Sequence, residues 1–162
     1  VLAVNVSPRQ FHQPGFVDGV RRILERTGAN PARLKLELTE SVIVDDIEDT
    51  IDKMKALKSM GIGFSMDDFG TGYSSLSYLR HLPLDQLKID RSFISEVDSN
   101  AGDAEIVKSI IAMAQALGLD VIAEGVEKEA QLDFLNSNEC NAYQGFLFGH
   151  PVPASIFEKM FD

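Results

Sequence analysis

Short apolar runs recur along this chain. Each delivers a polar side chain at its end, and helical patterns fill most of the gaps between them. Val1-Leu2-Ala3-Val4 stops at Asn5, and Leu34 to Glu40 alternates with the period of a strand around Glu37. Gly61-Ile62-Gly63-Phe64 runs into Asp67-Asp68, Leu87-Lys88-Ile89 into Asp90, and Val121-Ile122-Ala123 into Glu124. Ala142 to Leu147 reads as a last strand carrying Gln144. Successive ends lie 20 to 34 residues apart, the size of a βα unit. Strands alternating with helices imply a parallel sheet, covered on both sides or closed into a barrel. We therefore expect an α/β fold, a parallel (β/α) TIM-type barrel. A complete barrel needs roughly 250 residues. The 162 residues here supply about six of its eight strands. We expect residues 1–162 to form one partial barrel domain with the first strands absent.

The intervening stretches read as helices with ordinary punctuation. Phe16, Val17, Val20, Ile23 and Leu24 share a face, and Gly28 with Asn30-Pro31 ends the run. Ile47, Ile51, Met54 and Leu57 mark a second helix, led by acids and closed by lysines and Gly61. A short helix is expected around Ser74 to Leu79. Ile106, Val107, Ile110, Ile111, Ala114 and Leu117 form a strong stripe ending at Gly118. Leu132 and Leu135 mark another helix, and Pro153 to Phe161 a terminal one.

In a parallel barrel all strand C-termini open on one face, where barrel enzymes place their chemistry. Asn5, Glu37, Asp67, Asp68, Lys88, Asp90, Glu124 and Gln144 would meet there. An amide oxygen and several carboxylates make an all-oxygen donor set, which favours Mg²⁺ or Mn²⁺ over zinc. Two adjacent aspartates persist at a strand mouth when a cation or a proton offsets their repulsion. Each residue taken alone has a plainer reading. Asn5 fits a turn residue before Ser7-Pro8, Glu37 an acid on an exposed face, and Lys88 a salt-bridge partner. Glu40 fits a loop or cap residue, and Glu127 an acid at a helix start. Gln144 could simply satisfy backbone groups. His12, His81 and His150 lack ligand-like spacing and fit surface or packing roles.

The net charge of −10 argues against binding duplex nucleic acid or an anionic membrane. It leaves room for a small anion, because bound divalent cations reverse the local charge. Cys140 is the sole cysteine, so no intrachain disulfide can form, which suits a reducing, cytoplasmic compartment. No apolar run approaches the length of a membrane span. The chain opens at Val1, already in strand pattern, as a piece of a longer protein would.

The segments Asn5-Val6-Ser7, Glu37-Leu38-Thr39-Glu40-Ser41, Asp67-Asp68-Phe69-Gly70-Thr71-Gly72-Tyr73-Ser74-Ser75-Leu76, Leu87-Lys88-Ile89-Asp90, Ala123-Glu124-Gly125-Val126-Glu127 and Gln144-Gly145-Phe146 stand in this order. The set resembles the EAL domain family, bacterial signalling phosphodiesterases that open cyclic di-GMP to the linear dinucleotide pGpG. The resemblance covers essentially the whole chain. It implies that Asn5, Glu37, Asp67, Asp68 and Glu124 hold two divalent cations, Mg²⁺ or Mn²⁺. It implies that Lys88 contacts the attacking water, with Asp90 in support, so that Lys88, Asp90 and Glu124 form the catalytic group. Asp68 and Gln144 would also face the substrate. Glu40, Gly70, Thr71, Gly72 and Ser75 would stabilise the loop after Asp68, which with the following helix would serve a homodimer contact.

Departures from the family pattern temper these implications. The glutamate of the Glu-Ala-Leu signature lies upstream of Asn-Val-Ser in the family, beyond the segment present here. Phe146 stands where tyrosine is common, and His150 where a basic residue is usual. A non-catalytic module that binds cyclic di-GMP is the alternative, although such modules lose ligands that this sequence keeps. An enolase-type proton abstractor is a third reading, but it does not need the Asp-Asp-Phe-Gly-Thr-Gly loop. A barrel lacking two strands exposes two edges, so residues 1–162 alone are expected to be inactive, to aggregate or to assemble through those edges.

Overall fold

The computed structural model describes residues 1–42, 46–70 and 76–160. Six strands form one sheet in sequential order: β1 (Leu2–Asn5), β2 (Leu34–Thr39), β3 (Gly63–Phe69), β4 (Gln86–Ile89), β5 (Asp120–Glu124) and β6 (Tyr143–Gln144). Every neighbouring pair is parallel. The helices of the crossovers are α1 (Pro8–Phe11), α2 (Phe16–Thr27), α3 (Ile47–Ser59), α4 (Leu76–Leu79), α5 (Arg91–Ile94), α6 (Ala101–Leu117) and α7 (Glu129–Ser137). α8 (Ala154–Phe157) and a 3-10 turn (Glu158–Met160) follow β6. Parallel strands in chain order, each returned by a helical crossover, make an open arc of a (β/α) barrel.

Period-two alternation divides the strand residues between two faces. Leu36 and Leu38, Phe64 and Met66, Leu87 and Ile89, and Ala123 are all buried on one face. Met54 and Leu57 of α3 and Val107, Ile110, Ile111 and Ala114 of α6 are buried in the same core. The register aligns Asn5 with Glu37, Glu37 with Ser65, Ser65 with Gln86, and Glu124 with Gln144. The second face is therefore polar, and it is the face of the arc that carries the strand-end residues. Glu37 sits between two buried leucines because it belongs to this opposite face.

Side-chain caps start the longer helices. Asp46 caps α3 by accepting from the Asp49 amide at 3.0 Å, and Asn100 caps α6 by accepting from Gly102 at 2.9 Å. Below the strands, Asp85 accepts from the Phe64 amide and from Lys58 Nζ, both at 2.8 Å, which pins β3 to the end of α3. Ile23 and Ile106 were counted in helical stripes, yet they stay largely exposed on the flank.

Two elements differ from the sequence expectation. The last strand is two residues long, not six. Gly145 lies so close to the chain at Val126 that a Cβ on it would stand 2.1 Å from the Val126 oxygen. The backbone then turns, with Leu147 donating to Val126 and Phe148 to Gly145. Gly145→Ala has to force β5 and β6 apart, so it is expected to destabilise the domain by about 3 kcal/mol, the upper range for overpacking. Urea unfolding of the variant beside the parent measures this directly. The terminal helix is also shorter, with Pro153 at its N-cap and a tighter 3-10 turn from Glu158. The expected helix from Ser74 is described from Leu76, and Ser74, Ser75 and Phe161 lie outside the described residues.

Cys140 is 1% exposed, and burial pushes its thiol above the ordinary range despite hydrogen bonds from its surroundings. The folded protein is expected to leave Cys140 unmodified by a thiol reagent at neutral pH. Full reaction should appear only in denaturant.

No helix among the described residues is long and apolar enough to cross a membrane.

Candidate metal and phosphodiester site

At the C-terminal rim the strand ends converge on one ammonium. Lys88 Nζ of β4 lies 3.0 Å from Glu37 Oε2 of β2, 2.8 Å from Asp67 Oδ1 of β3 and 2.6 Å from Glu124 Oε1 of β5. Lys88 is only 4% exposed. Burial by itself would lower its pKa, but the hydrogen bonds it donates to Asp67, Glu124 and Glu37 prevail and raise it well above the usual lysine range. Lys88 is therefore charged at any ordinary pH. Three carboxylates face that single positive charge, so the cluster keeps a net negative charge. Burial raises the Glu124 carboxyl, and Asp67 and Glu37 add to the rise against the opposing pull of Lys88. Gln144 Nε2 donates to Glu124 Oε1 at 2.6 Å, fixing that side chain from β6.

A bulge sets the aspartate pair. The pairing of β3 with β4 shifts register between Met66 and Phe69, and Asp68 has φ of +53°. In a regular strand Asp67 and Asp68 would point to opposite faces. The bulge breaks that alternation. Carboxylate oxygens of Asp67, Asp68 and Glu124 then lie within 4.8 Å of one another, close enough to share a metal ion. Aspartate tolerates the left-handed region better than most residues. Burial raises the Asp68 carboxyl, and neighbouring Asp67 and Asp90 raise it further; it also hydrogen-bonds Asp90. Burial would raise Asp90 too, but the Ser92 hydroxyl and amide, the Arg91 amide and Asp68 together bring it below the usual range.

Asn5 ends β1 beside Glu37 in the register, on the same face. Asp90 caps α5 by accepting from the Ser92 amide at 2.9 Å, and it hydrogen-bonds Asp68. Glu40 follows β2 and accepts from the Gly70 amide at 3.0 Å, tying the loop after Asp68 to the neighbouring unit. Thr71, Gly72 and Ser75 lie outside the described residues, and with them the loop expected to serve a homodimer. Among the described residues, no histidine belongs to the Asp67, Asp68 and Glu124 group. His12, for example, bonds the Val42 carbonyl at 3.0 Å.

Two contributors escaped the sequence reading. Gln131 of α7 is 1% exposed, accepts from the Glu127 and Lys128 amides and donates to the Ser95 carbonyl, which orders the loop beyond Glu124. A glutamine three residues after a helix start was the available signal. Ser65, next to Glu37 in the strand register, has a fully buried hydroxyl without a hydrogen-bond partner among the described residues. Ser65→Ala removes an unsatisfied group and is expected to keep or slightly raise the melting temperature, by calorimetry.

The arrangement can bind hard divalent cations and set a permanent ammonium beside them. Comparison with known proteins agrees. The family model for the EAL domain matches residues 1–151. The chain is 50% identical over 153 residues to the bifunctional diguanylate cyclase/cyclic di-GMP phosphodiesterase MucR of Pseudomonas aeruginosa, covering 94% of this chain and 22% of that protein. A solved structure of the MucR phosphodiesterase in complex with cyclic di-GMP superposes with a TM-score of 0.91 at 49% identity, covering 96% of this chain and 63% of that one. The manganese and cyclic di-GMP complex of Klebsiella pneumoniae BlrP1 superposes at 0.84 with 32% identity, covering 93% and 38%. The chain thus spans about a fifth of the curated relative's length. By sequence and by fold, this chain belongs to the EAL domain family.

Proposed function

We propose that the protein containing this chain is a divalent-metal-dependent phosphodiesterase that hydrolyses cyclic di-GMP to linear pGpG. The observation that carries the reading is the excess of carboxylates around Lys88, with Asp68 turned toward the same point by the β3 bulge. The names of the relatives supply the substrate.

Asn5, Glu37, Asp67, Asp68 and Glu124 would hold two cations, Mg²⁺ or Mn²⁺, through oxygen donors. When bound, such ions lower the pKa of water and offset charge on the phosphodiester oxygens. Lys88 contributes a fixed positive charge where negative charge grows on phosphorus-bound oxygen, and its pKa keeps it from losing that charge. Its Nζ can donate to the attacking water. The new bond joins the water oxygen to phosphorus, and the bond to the ribose O3′ breaks in line with it. Gln144 orients Glu124, and Glu40 holds the Gly70 amide just after β3. Asp90 hydrogen-bonds Asp68 and so helps to position it at the rim.

The test is incubation of the full-length protein with cyclic di-GMP and Mn²⁺, followed by chromatography of the products. Appearance of pGpG that stops on chelation is the expected result. Tight binding without pGpG would identify a non-catalytic sensor instead.

A further inference from the structure

Two neighbouring βα units form the rim beside Lys88, and each carries part of the carboxylate site. The loop after β4 starts at Asp90, which hydrogen-bonds Asp68 and caps α5, and Ser95 closes that helix. The loop after β5 starts at Gly125, directly behind Glu124, and runs through Glu127 and Lys128 into α7. Asp68 and Glu124 belong to the trio whose carboxylate oxygens lie within 4.8 Å of one another. The separation of the two loops therefore bears on the spacing of the trio.

Exposed ion pairs cross between the loops. Lys128 lies 3.3 Å from Asp98, and Arg91 lies 3.4 Å from Glu127. Lys128 and Arg91 are both well exposed, so neither pair holds the loops firmly. Gln131 of α7 is different, because it is buried. Its Oε1 accepts from the Glu127 amide at 2.8 Å and the Lys128 amide at 3.0 Å, and its Nε2 donates to the Ser95 carbonyl at 3.1 Å. The bond from the Lys128 amide fits an ordinary capping box, in which the third helical residue reaches back to the cap. A capping box needs neither burial nor a partner in the preceding unit, 36 residues away. A buried side chain with its donor and acceptor both engaged rigidifies what it joins.

We propose that Gln131 is a positioning residue: by bridging the two loops it sets Glu124 against Asp68 and so fixes the spacing of the divalent-cation site. The inference rests on the metal-dependent phosphodiesterase reading above. Gln131 stands outside the trio and acts through it, by way of the α5 turn on one side and the chain behind Glu124 on the other.

The test measures Mn²⁺ binding to the metal-free full-length protein by isothermal titration calorimetry, with urea unfolding beside it. Wild type is compared with Gln131→Met, Gln131→Glu and Leu135→Ala. Gln131→Met roughly keeps the volume and removes both arms. It is expected to weaken Mn²⁺ binding about tenfold, the lower end for a residue that orients ligands without touching the metal. Gln131→Glu keeps an acceptor for the two amides but lacks the amide donor to Ser95, and it should weaken binding by a similar factor. Leu135→Ala empties a fully buried position on the same helix and leaves these hydrogen bonds in place. It should lower stability while leaving Mn²⁺ affinity unchanged.

Wild-type affinity in both Gln131 variants would overturn the proposal. Equal weakening in Leu135→Ala would overturn it too, since general loss of stability would then suffice. Full affinity in Gln131→Glu alone would reduce Gln131 to a local cap and overturn the bridge. If Gln131→Met does not fold, Gln131→Glu set against Leu135→Ala decides. Chromatography of the cyclic di-GMP products separates this inference from the reading beneath it. Wild type that binds Mn²⁺ but forms no pGpG contradicts the phosphodiesterase reading, and the Mn²⁺ comparison still decides Gln131. Wild type that binds no Mn²⁺ contradicts both.

Discussion

Asp67→Asn in the full-length protein is expected to lower Mn²⁺-dependent cyclic di-GMP hydrolysis by more than about a hundredfold, beyond the usual effect of losing an outer-shell partner. The substitution preserves shape and removes one negative charge. Asp67 is the residue most deeply shared in the site: it bonds Lys88 at 2.8 Å and stands in the carboxylate trio with Asp68 and Glu124. Its amide successor can still accept from Lys88, so the fold should survive. Steady-state kinetics across a Mn²⁺ titration separates the outcomes. A lower rate at every Mn²⁺ concentration with a raised half-saturation point is expected. Unchanged metal dependence would remove Asp67 from the ligand set.

Lys88→Met should produce the second large effect, and one that depends on metal. Without cations, three carboxylates lose the one close positive partner they have among the described residues. Breaking a buried ion pair costs about 3–5 kcal/mol. The lower end is expected here, because these acids sit at a rim and Glu124 already holds its proton more tightly than usual. With Mn²⁺ bound, the cations supply the missing charge, and most of the stability should return. Activity should not return, since loss of a charge-stabilising donor costs about 10²–10³ in rate. Urea unfolding with and without Mn²⁺, beside kcat, tests both parts. Equal destabilisation in both conditions would mean that lysine and cations do not share the same carboxylates. Because Lys88's pKa in the folded state is raised, its contribution is complete below the ordinary lysine range and is lost only as pH climbs beyond it. The difference between variant and parent should therefore be flat through neutral pH.

The strands and their order could be read from the sequence because a polar residue closing an apolar run is a local signal. Asn5, Glu37, Asp67, Lys88 and Glu124 each carry it. What escaped was set by contacts between units. The bulge that turns Asp68 toward Asp67 depends on how β3 pairs with β4. The short last strand follows from Gly145 pressing on Val126, a neighbour in space from the preceding unit. For Lys88, a salt-bridge role and a catalytic role looked equally good in one dimension. The structure gives it three acid partners, a geometry that serves both. Asp90 follows a strand like the others, yet its neighbour Ser92 turns it into a helix cap.

The anomalous difference map of a crystal of the full-length protein grown with Mn²⁺ and cyclic di-GMP tests the account most directly. The account predicts metal peaks within bonding distance of Asp67, Asp68 and Glu124, with Lys88 drawn off at least one carboxylate toward the phosphodiester. Manganese bound elsewhere, with Lys88 still holding Glu37, Asp67 and Glu124 together, would contradict it.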